Sequence, residues 1–557
     1  MIKEQIKEAV NSSVEKYLQE NSIDSFDFEF EIEIPKNIKF GDYSTNAALI
    51  LANKIKTKPR DLAEKLIEIL NNDENLLFKK MEIAGPGFIN FHLNEAVFIN
   101  SLIEIESKGE KWGSSDAGAG QKILIEFVSA NPTGYLHFGH ARNAAVGDSL
   151  SRILKYSGYE VTKEFYINDA GRQMDLLGVS VLVRYKQLFD IDLDIPEDGY
   201  RAEYIINIAE ELKSQKNDAL LKLDEDEAQG ICKEFAYNIL LNEIKKDLLD
   251  ADVEFDRWYS EKENIHSTKD GINVLEQVKE LLNGKNSIFE NEDALWFKAT
   301  DYGDSQDWVL IKSDGLPTYF YADIAYHNEK IKRGYNRLIN IWGADHHSHV
   351  ARLKSAIKAL NNDDKIIEVL LIQFVRLIKD GKEVAMSKRS GSFVTLREVM
   401  KEVGRDVTRY FLLMRSTDSH LDFDMDLAKE QSSENPVYYI QYAHARIESV
   451  LTKAGESGIS PSPDFIKSLK LQEEMQVVKK LLQFPEIVDQ SASALSPHRI
   501  AFYLQDLASE FHVYYNRNKI LTEDNELTTA RLYLISCIQT VLRNGLSLLG
   551  ISAPRRM

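Results

Sequence analysis

From Gln121 onward the chain alternates apolar runs of strand length with amphipathic helical stretches: ILIEFVSA, then Ala141 to Ser157, then Tyr159 to Asn168, and later Leu338 to Trp342 and Ile366 to Val375. Two parallel strands can be joined only by a crossover long enough to bring the chain back, and helical crossovers then cover the sheet faces. The alternation therefore predicts a parallel α/β sheet. At 557 residues and roughly 100 to 200 residues per domain, the chain has room for three or four domains. The expected fold class is multidomain α/β. Met174 to about Asn264 is mostly helical and charged and reads as an insertion on the sheet. The first hundred residues read as a compact α+β unit, with a strand at Phe26 to Ile34, helix over Thr45 to Leu70, and strand, Gly-Pro turn, strand over Met81 to Leu93. Glycines at 109, 113, 118 and 120 mark the first boundary. From about Asn435 the pattern is long amphipathic helices, which predicts an all-helical bundle.

Charge narrows the partners. With 68 Lys and Arg against 88 Asp and Glu, the net charge is −20, so non-specific attraction to nucleic acid or anionic membrane is excluded as the general mode of binding. A polyanion must be met by a local patch. Pro436 to Met557 holds 13 Lys and Arg against 12 Asp and Glu, which makes the helical tail the least repulsive surface for RNA, although from charge alone a solvated mixed face is the better explanation of the count. The two cysteines, Cys232 and Cys537, lie far apart and outside any C-x-x-C pair, which excludes a disulfide framework or a thiolate zinc site. No run approaches 18 apolar residues, and the N-terminus lacks the apolar core of a signal peptide. A cytoplasmic protein without membrane association is expected.

Two motifs carry chemistry. Glu126 to His140 reads EFVSANPTGYLHFGH and lies between an apolar strand and a helix expected near Ala141. That is the carboxyl end of a parallel strand, where α/β sheets bind ligands. A helix N-terminus there offers free N–H groups to phosphate. His137 and His140 add donors, and Gly139 leaves space for a flat base. About 245 residues later comes Ala385-Met386-Ser387-Lys388-Arg389-Ser390-Gly391, a small-residue loop with adjacent cations that suits a pyrophosphate leaving group. Alone, either could be a surface turn. Together they point to nucleotide chemistry.

The H-x-G-H and M-S-K-R elements resemble the HIGH and KMSKS signatures of class I aminoacyl-tRNA synthetases, and the residues around them resemble the arginyl-tRNA synthetases. The resemblance covers nearly the whole chain: Phe40 to Ala48 (FGDYSTNAA), Tyr166 to Gly171 (YINDAG), Asp314 to His327 (DGLPTYFYADIAYH), Trp342 to His347 (WGADHH), Asn435 to Arg446 (NPVYYIQYAHAR) and the terminal Ala553 to Met557 (APRRM). One departure is that Ala385 stands where the first lysine of KMSKS is usual, which leaves Lys388 to supply most of the loop's charge. The resemblance implies an N-terminal domain over 1–110 that holds the tRNA elbow. It implies a Rossmann-like catalytic domain over 111–380 with a helical insertion at about 174–264, a connecting region over 381–434, and an anticodon-binding helical domain over 435–557.

It also implies a reaction and residue roles. Arginine is activated by ATP to arginyl-adenylate and then passed to tRNA(Arg), with Mg2+ accompanying ATP, in a cytoplasmic monomer. His137, His140 and Lys388 would serve the phosphates, with Gly139, Asp345, His346, Met386, Ser387 and Arg389 completing the ATP site. A guanidinium offers a planar fork of donors that carboxylates meet bidentately. Motif position makes Glu126 and Asp323 the candidates, with Tyr319 one helical turn from Asp323 and with Ser129 and Asn131 for the α-ammonium and carboxylate. Phe88 and Asn90 would contact the tRNA elbow, and Tyr439, Tyr442, Arg446, Tyr515, Lys519 and Met557 the anticodon region. The run His346-His347-Ser348-His349 is assigned to adenosine contacts and helix starting, with no protein-bound metal. Three rival readings share some of these features: another class I synthetase, a small-molecule adenylyltransferase, and a non-enzymatic tRNA-binding relative.

Overall fold

The computed structural model describes residues 2–557 apart from 36, 73–76, 269, 270, 272, 362 and 385–393. The chain divides into two compact units. The first holds Met1–Glu110, Ser449–Gln483 and Glu510–Thr540, and the second Lys111–Glu448, Phe484–Ser509 and Val541–Met557.

The N-terminal part of the first unit runs α1 (Ile2–Glu20), β1 (Ile32–Glu33), β2 (Tyr43–Thr45), α2 (Ala47–Ile55), α3 (Pro59–Asn72), β3 (Phe78–Ala84), β4 (Phe88–Leu93) and α4 (Glu95–Lys108). Its sheet is antiparallel, in the order β1-β2-β4-β3. The alternating stretch Phe26 to Ile34 pairs at only two positions, Ile32 with Thr45 and Glu33 with Ser44. Its partner β2 is three residues long, so the ladder ends there. The aromatic rings before it pack on one another instead, with Phe28 and Phe30 centroids 5.4 Å apart. Helix over Thr45 to Leu70 is interrupted at Lys56, which adopts a left-handed conformation, before Pro59 opens α3 at a position where its missing N–H is harmless. At Gly41, φ is +93° and a Cβ would stand 2.6 Å from the Phe91 carbonyl oxygen, so only glycine fits this turn.

The second unit contains β5 (Lys122–Glu126), α5 (Phe138–Tyr156), β6 (Glu160–Ile167), α6 (Arg172–Gln187), α7 (Glu203–Lys216), α8 (Glu225–Asp250), β7 (Arg257–Ser260), α9 (Val274–Gly284), β8 (Ile288–Asn291), β9 (Ala294–Phe297), β10 (Trp308–Ile311), α10 (Tyr319–Lys332), β11 (Arg337–Gly343), α11 (His347–Asn361), β12 (Ile367–Ile372), β13 (Val375–Lys379), β14 (Lys382–Glu383), α12 (Leu396–Val403), α13 (Arg405–Leu413), β15 (Leu421–Asp424) and α14 (Met425–Lys429). Five strands form a wholly parallel sheet in the order β12-β11-β5-β6-β7. Ile123, Leu124 and Ile125 of β5 are all fully buried, as a strand covered on both faces requires. From β5 the chain proceeds to β6 on one side and later returns to β11 on the other. The carboxyl end of β5 is therefore the switch point at which open α/β sheets bind ligands.

The helices α6, α7 and α8 share an apolar core that includes Leu177, Val181, Tyr185, Ile205, Ile208 and Leu240. The interval 174–264 is thus helical through Asp250, but it also contains β7, which pairs in parallel with β6 as the sheet's edge strand. Ile366 to Val375, expected as one strand, is split: β12 completes the parallel sheet, whereas β13 pairs with β15 and β14. The tail consists of α15 (Pro436–Glu456), α16 (Gln472–Ser493), α17 (His498–Arg517) and α18 (Asn525–Leu548), with no strand among its described residues. Each of these helices has residues in both units.

Candidate active site

Beyond Glu126 the chain turns sharply. Val128 and Ser129 both have positive φ, 65° and 41°, a conformation that costs on the order of 1–3 kcal/mol per non-glycine residue. Side chains hold it in place. Asn143 of α5 accepts from the Val128 N–H at 2.8 Å and donates to the Ile341 carbonyl of β11 at 2.9 Å. The Ser129 hydroxyl donates to Glu126 at 3.0 Å and accepts from the Tyr166 N–H at 3.2 Å. Asn131 donates to Gln173 at 2.7 Å.

The next helix begins at Phe138, three residues before the expected Ala141. His137 is its extended N-cap residue. The cause is tertiary: Leu136 to Phe138 pair antiparallel with Val394 to Leu396, through Phe138 N–H to Val394 O and Leu396 N–H to Leu136 O, each at 2.9 Å. The first motif is thereby paired with the described chain that resumes at Val394, three residues beyond Gly391. Met386, Ser387, Lys388 and Arg389 lie outside the described residues. His137 and His140 stack with ring centroids 3.7 Å apart. A Cβ on Gly139 would come within 2.8 Å of the His137 ring, so glycine here makes room for the imidazole. Asp345 and His346 follow β11 directly, at the same edge of the sheet as the end of β5, and their side chains are more than half exposed.

The arginine-pocket candidates assemble on α10 and β5. Thr318 caps α10 by accepting from the Tyr321 N–H, Tyr319 is exposed, and Asp323 lies one turn on. Asp323 is pushed up to about 7 by burial and by the neighbouring carboxylates of Glu126 and Glu261, against the partial relief of Arg352 and Lys330. Burial, with Glu261, Asp323 and Glu126 around it, holds the Tyr166 phenol protonated. Such a convergence of like charge at a sheet edge suits a cationic ligand. Glu126 is 6% exposed and is already engaged: the fully buried ammonium of Lys330 donates to it at 2.6 Å. Sequence reasoning missed Glu261, Tyr166 and Lys330. The spacing of Lys330, seven residues after Asp323 on one helix, is the one local signal that could have drawn attention to it.

The tRNA candidates fall elsewhere. In the first unit Phe88 is exposed while Asn90, two residues along β4, is only 5% exposed, which leaves little of its amide open to a base. Tyr515, half-buried, packs on Phe511 with centroids 5.7 Å apart, and Lys519 is exposed. In the second unit Tyr439 and Tyr442 are half-buried on α15. The Tyr442 ring stacks on Tyr438, and its hydroxyl accepts from Arg446 at 2.9 Å. Gln441 donates to the Ser552 carbonyl at 2.9 Å and His444 to the Pro554 carbonyl at 2.9 Å, so α15 fixes the terminal segment whose last residue, Met557, is exposed. No group of three or more His, Cys, Asp or Glu side chains converges as a metal cage among the described residues.

Comparison with known proteins accords with this geometry. Residues 1–93 match the arginyl tRNA synthetase N terminal domain, 102–434 the catalytic domain of class I (R) tRNA synthetases, and 440–557 the DALR anticodon binding domain. The chain is 44% identical to the arginine–tRNA ligase of Citrifermentans bemidjiense over 100% of both chains. It is 47% identical to that of Anoxybacillus flavithermus over 100% of this chain and 98% of the relative. The Thermus thermophilus arginyl-tRNA synthetase structure, 23% identical, superposes with a TM-score of 0.76 across 100% of both chains and so shares the fold. By sequence over its full length, the chain belongs to the arginyl-tRNA synthetase family.

Proposed function

We propose that this chain is an arginine–tRNA ligase that uses ATP to esterify the 3′-terminal adenosine of tRNA(Arg) with L-arginine for translation. The observation that carries the reading is the cluster of Glu126, Asp323 and Glu261 at the sheet edge that also presents His137 and His140. In the first step a carboxylate oxygen of arginine bonds to the α-phosphorus of ATP and the bond to pyrophosphate breaks. The nucleophile is ionised at neutral pH, so the chain contributes positioning and charge stabilisation rather than proton abstraction. His137 and His140 meet the phosphates, Lys388 receives the β and γ phosphates, and Gly139, Asp345, His346, Met386, Ser387 and Arg389 complete the ATP site. Glu126, Tyr319 and Asp323 frame the guanidinium, and Ser129 and Asn131 the α-ammonium and carboxylate. In the second step a ribose hydroxyl of the tRNA attacks the adenylate carbonyl carbon and AMP leaves.

Residues 1–110 would hold the tRNA elbow through Phe88 and Asn90. Residues 111–380, with the insertion at about 174–264, would carry catalysis, 381–434 would connect, and 435–557 would take the anticodon through Tyr439, Tyr442, Arg446, Tyr515, Lys519 and Met557. The protein would act as a cytoplasmic monomer; no helix among the described residues is long and apolar enough to cross a membrane. Mg2+ would accompany ATP, held by its phosphates and water.

The test is ATP–pyrophosphate exchange across the twenty amino acids, with and without tRNA. Exchange with arginine alone supports the assignment. Exchange with another amino acid removes the pocket assignment, and none under either condition leaves a tRNA-binding protein without activity.

A further inference from the structure

Lys330 is the buried cation that the reaction as outlined leaves unused. Its side chain is fully buried on α10, yet its ammonium is completely engaged. It donates to Glu126 Oε2 at 2.6 Å and to Asn340 Oδ1 at 3.1 Å, and it lies 4.1 Å from the centroid of the Tyr326 ring. Asn340 of β11 is the register partner of Glu126 on β5. Its amide donates to His327 Nε2 at 2.8 Å, and His327 Nδ1 donates to the Asp323 carbonyl at 2.8 Å. Those two bonds fix the tautomer of His327, which burial and the adjacent Lys330 keep neutral. A single hydrogen-bonded chain therefore runs from Glu126 through Lys330, Asn340 and His327 to the helical turn of Asp323.

We propose that Lys330 is a positioning residue for arginine recognition: it fixes the Glu126 carboxylate and ties it to the turn that carries Asp323. The proposal rests on the arginine-pocket reading above. Glu126 is held at both oxygens, by Lys330 at Oε2 and by the Ser129 hydroxyl at Oε1. Its carboxylate plane is set before any ligand arrives, which spares the ordering that binding would otherwise require. The ammonium also offsets one of three carboxylates that bear on a single space. Buried ion pairs seldom add stability over well-packed apolar residues, so a lysine at this position is better explained by the group it orients than by the fold. An arginine cannot take its place without changing the geometry, because a planar fork would meet Glu126 and Asn340 along different lines than a point charge does.

The experiment measures arginine, ATP and tRNA KM and kcat by exchange and aminoacylation, with tRNA present, for the full chain and for Lys330→Met, Glu126→Gln, the double variant and Asn340→Ala, with circular dichroism melting of each. Lys330→Met should raise arginine KM at least tenfold while ATP KM stays within twofold. In the Glu126→Gln background the same change should move arginine KM less than twofold, because the group it orients has lost its charge. A further tenfold rise in that background marks an independent structural role and overturns the proposal, as does an arginine KM within twofold of the unmodified chain in Lys330→Met. If Lys330→Met does not fold, Asn340→Ala decides: the cation remains but its anchor is lost, and an arginine KM threefold or more higher is expected, whereas an unchanged one overturns the proposal. Absence of arginine-dependent exchange in the unmodified chain overturns the function itself, a result distinct from each of these.

Discussion

A carboxyl group poised near neutrality makes substrate binding a proton-linked event. Asp323 is pushed up to about 7 by burial and by Glu126 and Glu261, so below that pH it is largely protonated in the free protein and cannot serve as a charged acceptor for guanidinium. In the proposed pocket, arginine binding then requires the proton to leave. Affinity for arginine should be about tenfold tighter at pH 8 than at pH 6, the ratio of the ionised fractions for a group with that midpoint. Calorimetry at both pH values, in two buffers of different ionisation enthalpy, reads the affinity and the released proton together; an affinity flat across that range removes Asp323 from the contact. For folding the sign is opposite to that of a salt-bridged carboxylate. The folded chain binds more protons than the unfolded one between the ordinary 3.8 and about 7, so this group's contribution to stability falls as the pH rises through that window. The candidates Glu126 and Asp323 were legible in the sequence because they sit in motifs. Glu261 was not, because nothing local marks a residue that acts only by standing near another, and Tyr166, although it opens the YINDAG motif, carries no spacing that ties it to a pocket.

At the scale of elements, the turn between β5 and α5 is strained and must be held from outside. Asn143 satisfies the Val128 N–H and the Ile341 carbonyl at once. Asn143→Ala should destabilise the protein by about 1–3 kcal/mol, the cost of leaving such groups unpaired, and should lower kcat more than it alters the far-ultraviolet circular dichroism. An unchanged melting curve would count against this role. The same junction explains the early start of α5, since the bridge from His137 to Thr395 extends the chain just ahead of the helix. Thr395 in turn opens α12 with a capping box closed by Glu398, a signature of side chains three residues apart. Capping is local and can be read from sequence. The bridge links residues 258 positions apart, which periodicity cannot reveal. Likewise the split of Ile366 to Val375 into β12 and β13 depends on which partners each half meets, β11 for one and β15 for the other.

For the molecule as a whole, Arg409 shows how segments far apart in sequence depend on one another within the second unit. It is 2% exposed and donates to Asp148 at 2.7 Å, to the Leu549 carbonyl at 2.9 Å and to the Ala251 carbonyl at 2.9 Å. Burial pushes the Asp148 carboxyl up, but Arg409, Arg152 and Lys163 outweigh it and hold it below its ordinary value. Arg409→Met should cost about 3–5 kcal/mol, because it leaves buried acceptors without their donor. The urea midpoint of the transition that this unit undergoes is the measurement, and one unchanged from the unmodified chain would contradict the prediction. The sequence by itself determined the alternation of strand and helix and the helical tail, because each is written in the spacing of neighbours along the chain. Only the tertiary structure decided that β7 returns to the sheet edge, that the H-x-G-H segment pairs with residues 394–396, and that Lys330 meets Glu126 across 204 residues. Those contacts arise from burial and charge compensation between segments that have no periodic relation to each other.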